Sequence, residues 1–286
     1  MGCGLKAPLN SIHIAAVLLL VSTRTLGVSA DKPQGSADRA KVLDSATSLA
    51  LAYTQRLPDF ICTQITHRDV SVVNNASGGV TGIDAVPILS TATSSSSVIE
   101  ERLTFFDGKE NYEVMTIDGR KVTGAKHLQN EGAISAGEFG TALHEIFDPQ
   151  SHTVFAWGRM DKLHGRRVDV FVFHVPKERG ALVTHRNPDQ QIVVPYSGQI
   201  FVDCDTNEVI RIISRLELPP KFPIQMAERR VDYKQTRIAG KNYNLPSHSE
   251  VRMQDSSNLY VNSIDFKGYH KFVVESTIHY DVSPQQ

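Results

Sequence analysis

Two short stretches of this chain carry side chains whose types and spacing could do chemistry. His144-Glu145-Ile146-Phe147-Asp148 opens like the helix of a zinc hydrolase, which turns two imidazoles four residues apart toward one metal. Asp148 stands where the second imidazole is needed and Pro149 ends the helix, so an exposed helical face is the expected role. Asp203-Cys204-Asp205-Thr206-Asn207 has the oxygen density of a calcium loop, yet Glu208 and Ser214 occupy the positions that call for Gly and a bidentate acid. A paired-aspartate phosphotransferase would place that pair between a parallel strand and a helix. Here a strand follows, and a hydrogen-bonding turn is expected instead.

The remaining candidates are weaker as catalysts. The 11 His are scattered, and neither a Gly-x-Ser-x-Gly elbow nor a phosphate-cradling glycine loop occurs. The sequence therefore points to no catalytic residue, no metal and no cofactor. Phe105, Phe155, Trp157, Phe171 and Phe173 form the richest aromatic set and are the candidate ligand contacts. They could line an acyl-sized pocket, or fill a core beneath helices, which is the commoner fate of such large side chains. Arg166-Arg167 and Arg229-Arg230 could meet anionic lipid or a partner; as solvated strand faces they would do neither.

Positioning these residues requires a fold, and the composition allows one. Of the 286 residues, 41% are hydrophobic and 21% charged, enough apolar surface for a core. The 30 Lys and Arg nearly cancel 31 Asp and Glu, which excludes nucleic-acid binding through bulk positive charge.

Lys6, the apolar run Ile12 to Val21 and the small residues Val28-Ser29-Ala30 read as a secretory signal peptide over residues 1–30, cleaved after Ala30. Processing removes Lys6 and Arg24 and no acid, leaving 28 positive against 31 negative side chains, a charge near −3. No other stretch is apolar enough to span a bilayer, so the expected product is periplasmic or secreted. Cys62 and Cys204 remain, and in an oxidising compartment they could form one disulfide or stay as two buried thiols.

A polar linker at 31–36 precedes a single domain over 37–286. Val42, Ala46, Leu49, Ala50, Tyr53 and Leu57 share one helical face, with Ser36 as N-cap and Leu57-Pro58 as the stop. Phe60 to Val73 reads as a strand, and the Ser/Thr/Gly-rich stretch 74–97 as a long loop. Ser135 and Glu138 have capping-box spacing for a helix over 136–147. From Val98 onward about ten antiparallel strands are expected, joined by turns such as Asp107-Gly108, Asp118-Gly119 and Ala239-Gly240. They include Gln191 to Val202, Val209 to Leu218 and Val273 to Tyr280. With no β-α-β rhythm, the fold class is α+β: a predominantly antiparallel meander forming a half-open barrel with two or three packed helices.

The cadence of Gly165-Arg166-Arg167-Val168-Asp169-Val170, Ile200-Phe201-Val202-Asp203, Val209-Ile210-Arg211-Ile212, Val231-Asp232-Tyr233 and Tyr243-Asn244-Leu245-Pro246 resembles the sheet of periplasmic outer-membrane lipoprotein carriers and their sensor relatives. That resemblance covers residues 163–266 and implies an open half-barrel, covered by helices, that binds acyl chains. Leu57 to Gln64 and Gly137 to Gly140 make the chain similar to exported proteins of Acidobacteria-type soil bacteria, a likeness that brings no mechanism with it. The expected function is non-catalytic binding of a hydrophobic ligand, either an acyl chain or a lipoprotein, or of an envelope partner. The alternatives are a protein-interaction scaffold or sensor with a filled core, and an exported hydrolase whose triad is invisible in sequence.

Overall fold

The computed structural model describes residues 35–73, 93–122, 138–185 and 187–272. The signal segment, the linker as far as residue 34, the insertion over 74–92, Ser135 and the strand expected at 273–280 lie outside the described residues.

Thirteen strands are present among the described residues: β1 Phe60–Val72, β2 Thr93–Phe106, β3 Lys109–Ile117, β4 Arg120–Lys121, β5 Val154–Leu163, β6 Arg166–Val175, β7 Ala181–His185, β8 Asn187–Val194, β9 Tyr196–Asp203, β10 Val209–Leu216, β11 Met226–Ile238, β12 Lys241–Gln254 and β13 Asn258–Lys271. Eleven of them form one antiparallel sheet in the order β4-β3-β2-β1-β13-β12-β11-β10-β9-β6-β5, while β7 and β8 make a separate hairpin. The two ends of that sheet do not pair with each other, so the barrel stays open.

Several turns follow from local chemistry. Asp107-Gly108, Asp118-Gly119, His164-Gly165 and Ala239-Gly240 each place two consecutive residues at positive φ, the backbone of a type I′ hairpin turn. Asp203 Oδ1 accepts from the amides of Asp205 and Thr206 at 3.0 and 2.9 Å and from the Thr206 hydroxyl at 3.1 Å. The calcium-like segment is thus a side-chain-capped turn, braced by Arg166 Nε at 2.7 Å from Asp203 Oδ2.

Other elements differ from the sequence expectations. Residues 93–97 belong to β2, not to a loop, because their backbone pairs with β1: Ser95 lies opposite Val70 and Ser97 opposite Arg68. The expected strand over 191–202 is broken at Pro195, which cannot donate to a ladder; β8 turns back on β7 before it, and β9 joins the main sheet after it. The first helix, α1, spans Ser36–Leu51, so Ser36 is its first residue and Gly35 its N-cap; α2 is the short Tyr53–Arg56. The helix expected from residue 136 begins only at Thr141, as α3 Thr141–Phe147. Gly140 precedes it at φ 137°, a backbone that excludes helical continuation, and a Cβ there would collide with the Thr54 hydroxyl.

Alternation sends one face of each strand toward the helices. Ala46, Ala50 and Tyr53 pack with Ala142, Leu143, Ile146 and Phe147 onto Phe171, Phe173, Tyr196, Ile200, Ile212, Val231 and Tyr233. A second cluster lies further along the same sheet, around Phe60, Cys62, Leu103, Phe105, Phe139, Leu245 and Phe266. Tyr53 Oη donates to the Asn244 carbonyl at 2.7 Å and Tyr233 Oη to the Glu138 carbonyl at 3.2 Å, which ties the helical segments to the strands beneath them.

Candidate functional site

A cleft of about 430 Å³ opens where α3, the β7–β8 hairpin and the inner face of the sheet meet. Its floor is built in rungs. Tyr196 on β9 lies opposite Leu216 on β10, and Ala227 on β11 opposite Met253 on β12. One rung closer to the helices, Gly198 faces Ser214, Ser214 faces Arg229, and Arg229 faces Val251. Ile224, Ala181, Leu182 and Val183 complete an aliphatic wall, and Glu145 of α3 stands at the edge. Behind this wall Val183, Val194 and Ile224 pack with Leu216, Leu218, Phe222, Ala227 and Met253. Leu182 remains 63% exposed beside the opening.

Besides Tyr196, the polar lining of the cleft is Ser214 and Arg229 on the inner rung, Glu145 at the edge, and Glu228, whose carboxylate pairs with Arg215 at 3.4 Å. Ser214 is buried, Arg229 half-buried and Glu145 exposed. Burial pushes the Tyr196 phenol up to about 12, with Glu145 raising it further and Arg229 opposing. Deeper under α3, Glu138 is 1% exposed and receives Ser249 Oγ at 3.3 Å. Burial raises its carboxyl above the usual carboxylate range, with Arg229 pulling the other way. Gln64 Nε2 donates to Glu101 Oε2 at 2.8 Å in the neighbouring half of the interior.

The five aromatic candidates do not meet at this cleft, and none lines it. Phe105 stacks on Phe60 at 5.1 Å in the second cluster. Phe155 lies opposite Phe173 and Trp157 opposite Phe171 across β5 and β6, so four of the five do form one group. That group is occupied by its own packing: Phe155 stacks on Phe147 at 5.3 Å, and Arg39 covers the Trp157 ring at 3.6 Å. Trp157 Nε1 donates to Asp169 at 3.2 Å.

Cys62 and Cys204 are both free thiols. Cys62 lies on β1 and Cys204 follows β9, five strands away in the sheet order, roughly 24 Å at the usual strand spacing and beyond any bridge. Burial raises the thiols to about 12 and about 11 respectively.

Nor do the histidines assemble a catalyst among the described residues. His144 sits on the exposed side of α3 with Nδ1 3.5 Å from Asp148. His174 Nδ1 and Ser197 Oγ both contact Glu217 Oε1, at 3.2 and 3.0 Å. The carboxylate therefore lies between imidazole and hydroxyl, whereas proton abstraction needs the imidazole in the middle. His248 pairs with Asp265 at 3.0 Å. No group of three metal-ligating side chains occurs among the described residues.

Sequence reasoning left Arg229 open between contact with anionic lipid or a partner and a solvated strand face, and did not place it in a cleft. The available signal was its phase: Ala227, Arg229, Val231 and Tyr233 alternate onto one side of β11, and Val231 and Tyr233 are core residues. Its neighbour Arg230 does lie on the outer face, in a ladder with Asp232 and Glu250 at 3.5 and 3.4 Å.

No family model matches the chain. No curated protein matches it either. Among solved structures it is similar to a LolA superfamily protein from Nitrosomonas europaea, with 9% identity and a TM-score of 0.31 over 82% of this chain and 94% of the other. A DUF1329 family protein from Desulfovibrio piger shares 8% identity at a TM-score of 0.35, again over 82% and 94%. A domain described as an outer membrane lipoprotein-sorting protein, from Vibrio parahaemolyticus, shares 8% identity at a TM-score of 0.33 over 79% and 92%.

Proposed function

We propose that this chain is an exported binding domain that shelters an apolar chain, from a lipid or a lipoprotein, in the cleft between α3, the β7–β8 hairpin and the open sheet, without covalent chemistry. The observation that carries this reading is the cleft itself. Its size falls in the roughly 300–1,000 Å³ range of small-ligand sites, and most of its wall is aliphatic. An open sheet leaves such a space at its margin where a closed, filled barrel would not.

The signal-like amino terminus supports a periplasmic or secreted location, where insoluble acyl chains need a protein escort. No described helix is long and apolar enough to cross a membrane. The ligand contacts we assign are Leu216, Ala227, Val251, Met253 and Val183, in place of the aromatic group, whose faces are already covered.

Titration of the purified, delipidated protein with the neutral apolar dye N-phenyl-1-naphthylamine tests the reading. Saturable fluorescence enhancement at about one dye per chain is expected. A signal that never saturates, or none, would remove the proposal.

A further inference from the structure

Resting on that reading, we infer that the cleft selects a single-chain amphiphile whose head is an oxyanion, held by Arg229, with its tail along the Leu216, Ala227 and Met253 rung. The positions of the two rungs set this orientation. Arg229 and Ser214 face each other across β10 and β11, and Ala227 and Met253 follow two residues along, roughly 7 Å away at strand rise. A head on the inner rung therefore leaves its alkyl chain among Leu216, Met253, Ile224 and Val183, where no other cation among the described residues lines the wall.

Arg229 brings a half-buried guanidinium to an otherwise largely aliphatic wall. The guanidinium has five N–H donors in a fork that fits a carboxylate or phosphate, more than one protein partner can occupy. Ser214 adds a hydroxyl from the facing strand.

Glu145 is the one acid whose side chain faces this space from α3. It is exposed, so water and salt screen it. Arg229 acts from a half-buried site, where the effective dielectric is lower than around Glu145. The carboxyl of Glu138 beneath is raised by burial and lowered by Arg229, so it also interacts with that guanidinium.

The test displaces bound N-phenyl-1-naphthylamine with four ten-carbon amphiphiles: decanoate, decyl phosphate, decanol and decylammonium. At least one anion is expected to compete about ten- to a hundredfold more strongly than decanol, and decylammonium most weakly. Decanoate winning over decyl phosphate would identify a carboxylate head, and the reverse a phosphate; either supports the inference. In Arg229→Met the anion and the alcohol should compete equally, with decanol within about threefold of its wild-type value, while Arg229→Lys should retain part of the preference. Equal competition by all four on the wild-type protein would overturn the oxyanion assignment and leave the apolar cleft standing. If the dye itself fails to bind, both fall together. The wild-type comparison decides the matter even if a variant misfolds.

Discussion

Ala227→Trp places an indole in the space assigned to the ligand. Ala227 lies on the inner face of β11 opposite Met253, with a small side chain bordering the cleft. An indole projecting from that point claims a large share of about 430 Å³. If it keeps four methylenes of a bound chain in water, at ~0.8 kcal/mol each, binding weakens by about 3 kcal/mol, or some 200-fold in Kd. Stability should fall by no more than the roughly 1–3 kcal/mol of an overfilled site, because Ala227 borders the cleft as well as its packed neighbours Ile224 and Met253. The assay is a dye or decanoate titration beside a thermal melt of the same sample. Phe105→Leu, in the separate cluster around Phe60, is the control: it should lower the melting temperature and leave Kd unchanged. An Ala227→Trp protein that melts like the wild type and binds with unaltered Kd would refute the assignment of the cleft.

Phe171→Ala should cost about 3–5 kcal/mol in urea unfolding, because Phe171 is fully packed under the helices; a loss below 1 kcal/mol would mean that group is loosely filled. Gly198→Ala should be still more damaging, since a Cβ would fall on the Ile213 carbonyl oxygen and lie 2.8 Å from the Phe173 ring; a variant with native stability would contradict this strand register. Burial raises the folded-state pKa of Glu138 above its unfolded value, so its contribution to stability is complete below about pH 4 and is lost as pH rises through the raised value. Glu138→Gln should therefore melt higher than wild type at pH 8, with the gap closing toward pH 4; a constant gap would show that the carboxyl does not titrate there. Alkylation in denaturant without reductant, read by peptide mass mapping, should modify both Cys62 and Cys204, whereas protected cysteines would reveal the bridge that the sheet order excludes.

What was legible in the sequence was mostly local. Asp-Gly and Ala-Gly pairs announce type I′ turns because two positive φ values suit few other residues, and the alternation on β10 and β11 gives the sheet its two faces. The serines at 94–97 carry no apolar pattern, so their strand character comes wholly from pairing with β1, a long-range fact. Glu138 has the spacing of a helix cap, but the conformation of Gly140 delays the helix, and the carboxyl is carried into the interior beside Ser249. The cleft was invisible for a related reason. Its wall draws on residues from 145 to 253, on five strands, one helix and a loop, and their proximity depends on the sheet order. Only Arg229 carried a local trace of it, through its phase with Val231 and Tyr233.

The central claim is that an apolar chain lies on the rung formed by Leu216, Ala227 and Met253. Photolysis of the purified protein with a diazirine-tipped ten-carbon fatty acid, followed by mass mapping of the labelled peptides, tests it most directly. The account predicts saturable labelling of peptides from β10, β11 and β12 or the β7–β8 hairpin, displaced by excess decanoate. Labelling confined to β5 and β6 around Phe155 and Trp157, or scattered adducts that excess decanoate does not suppress, would contradict it.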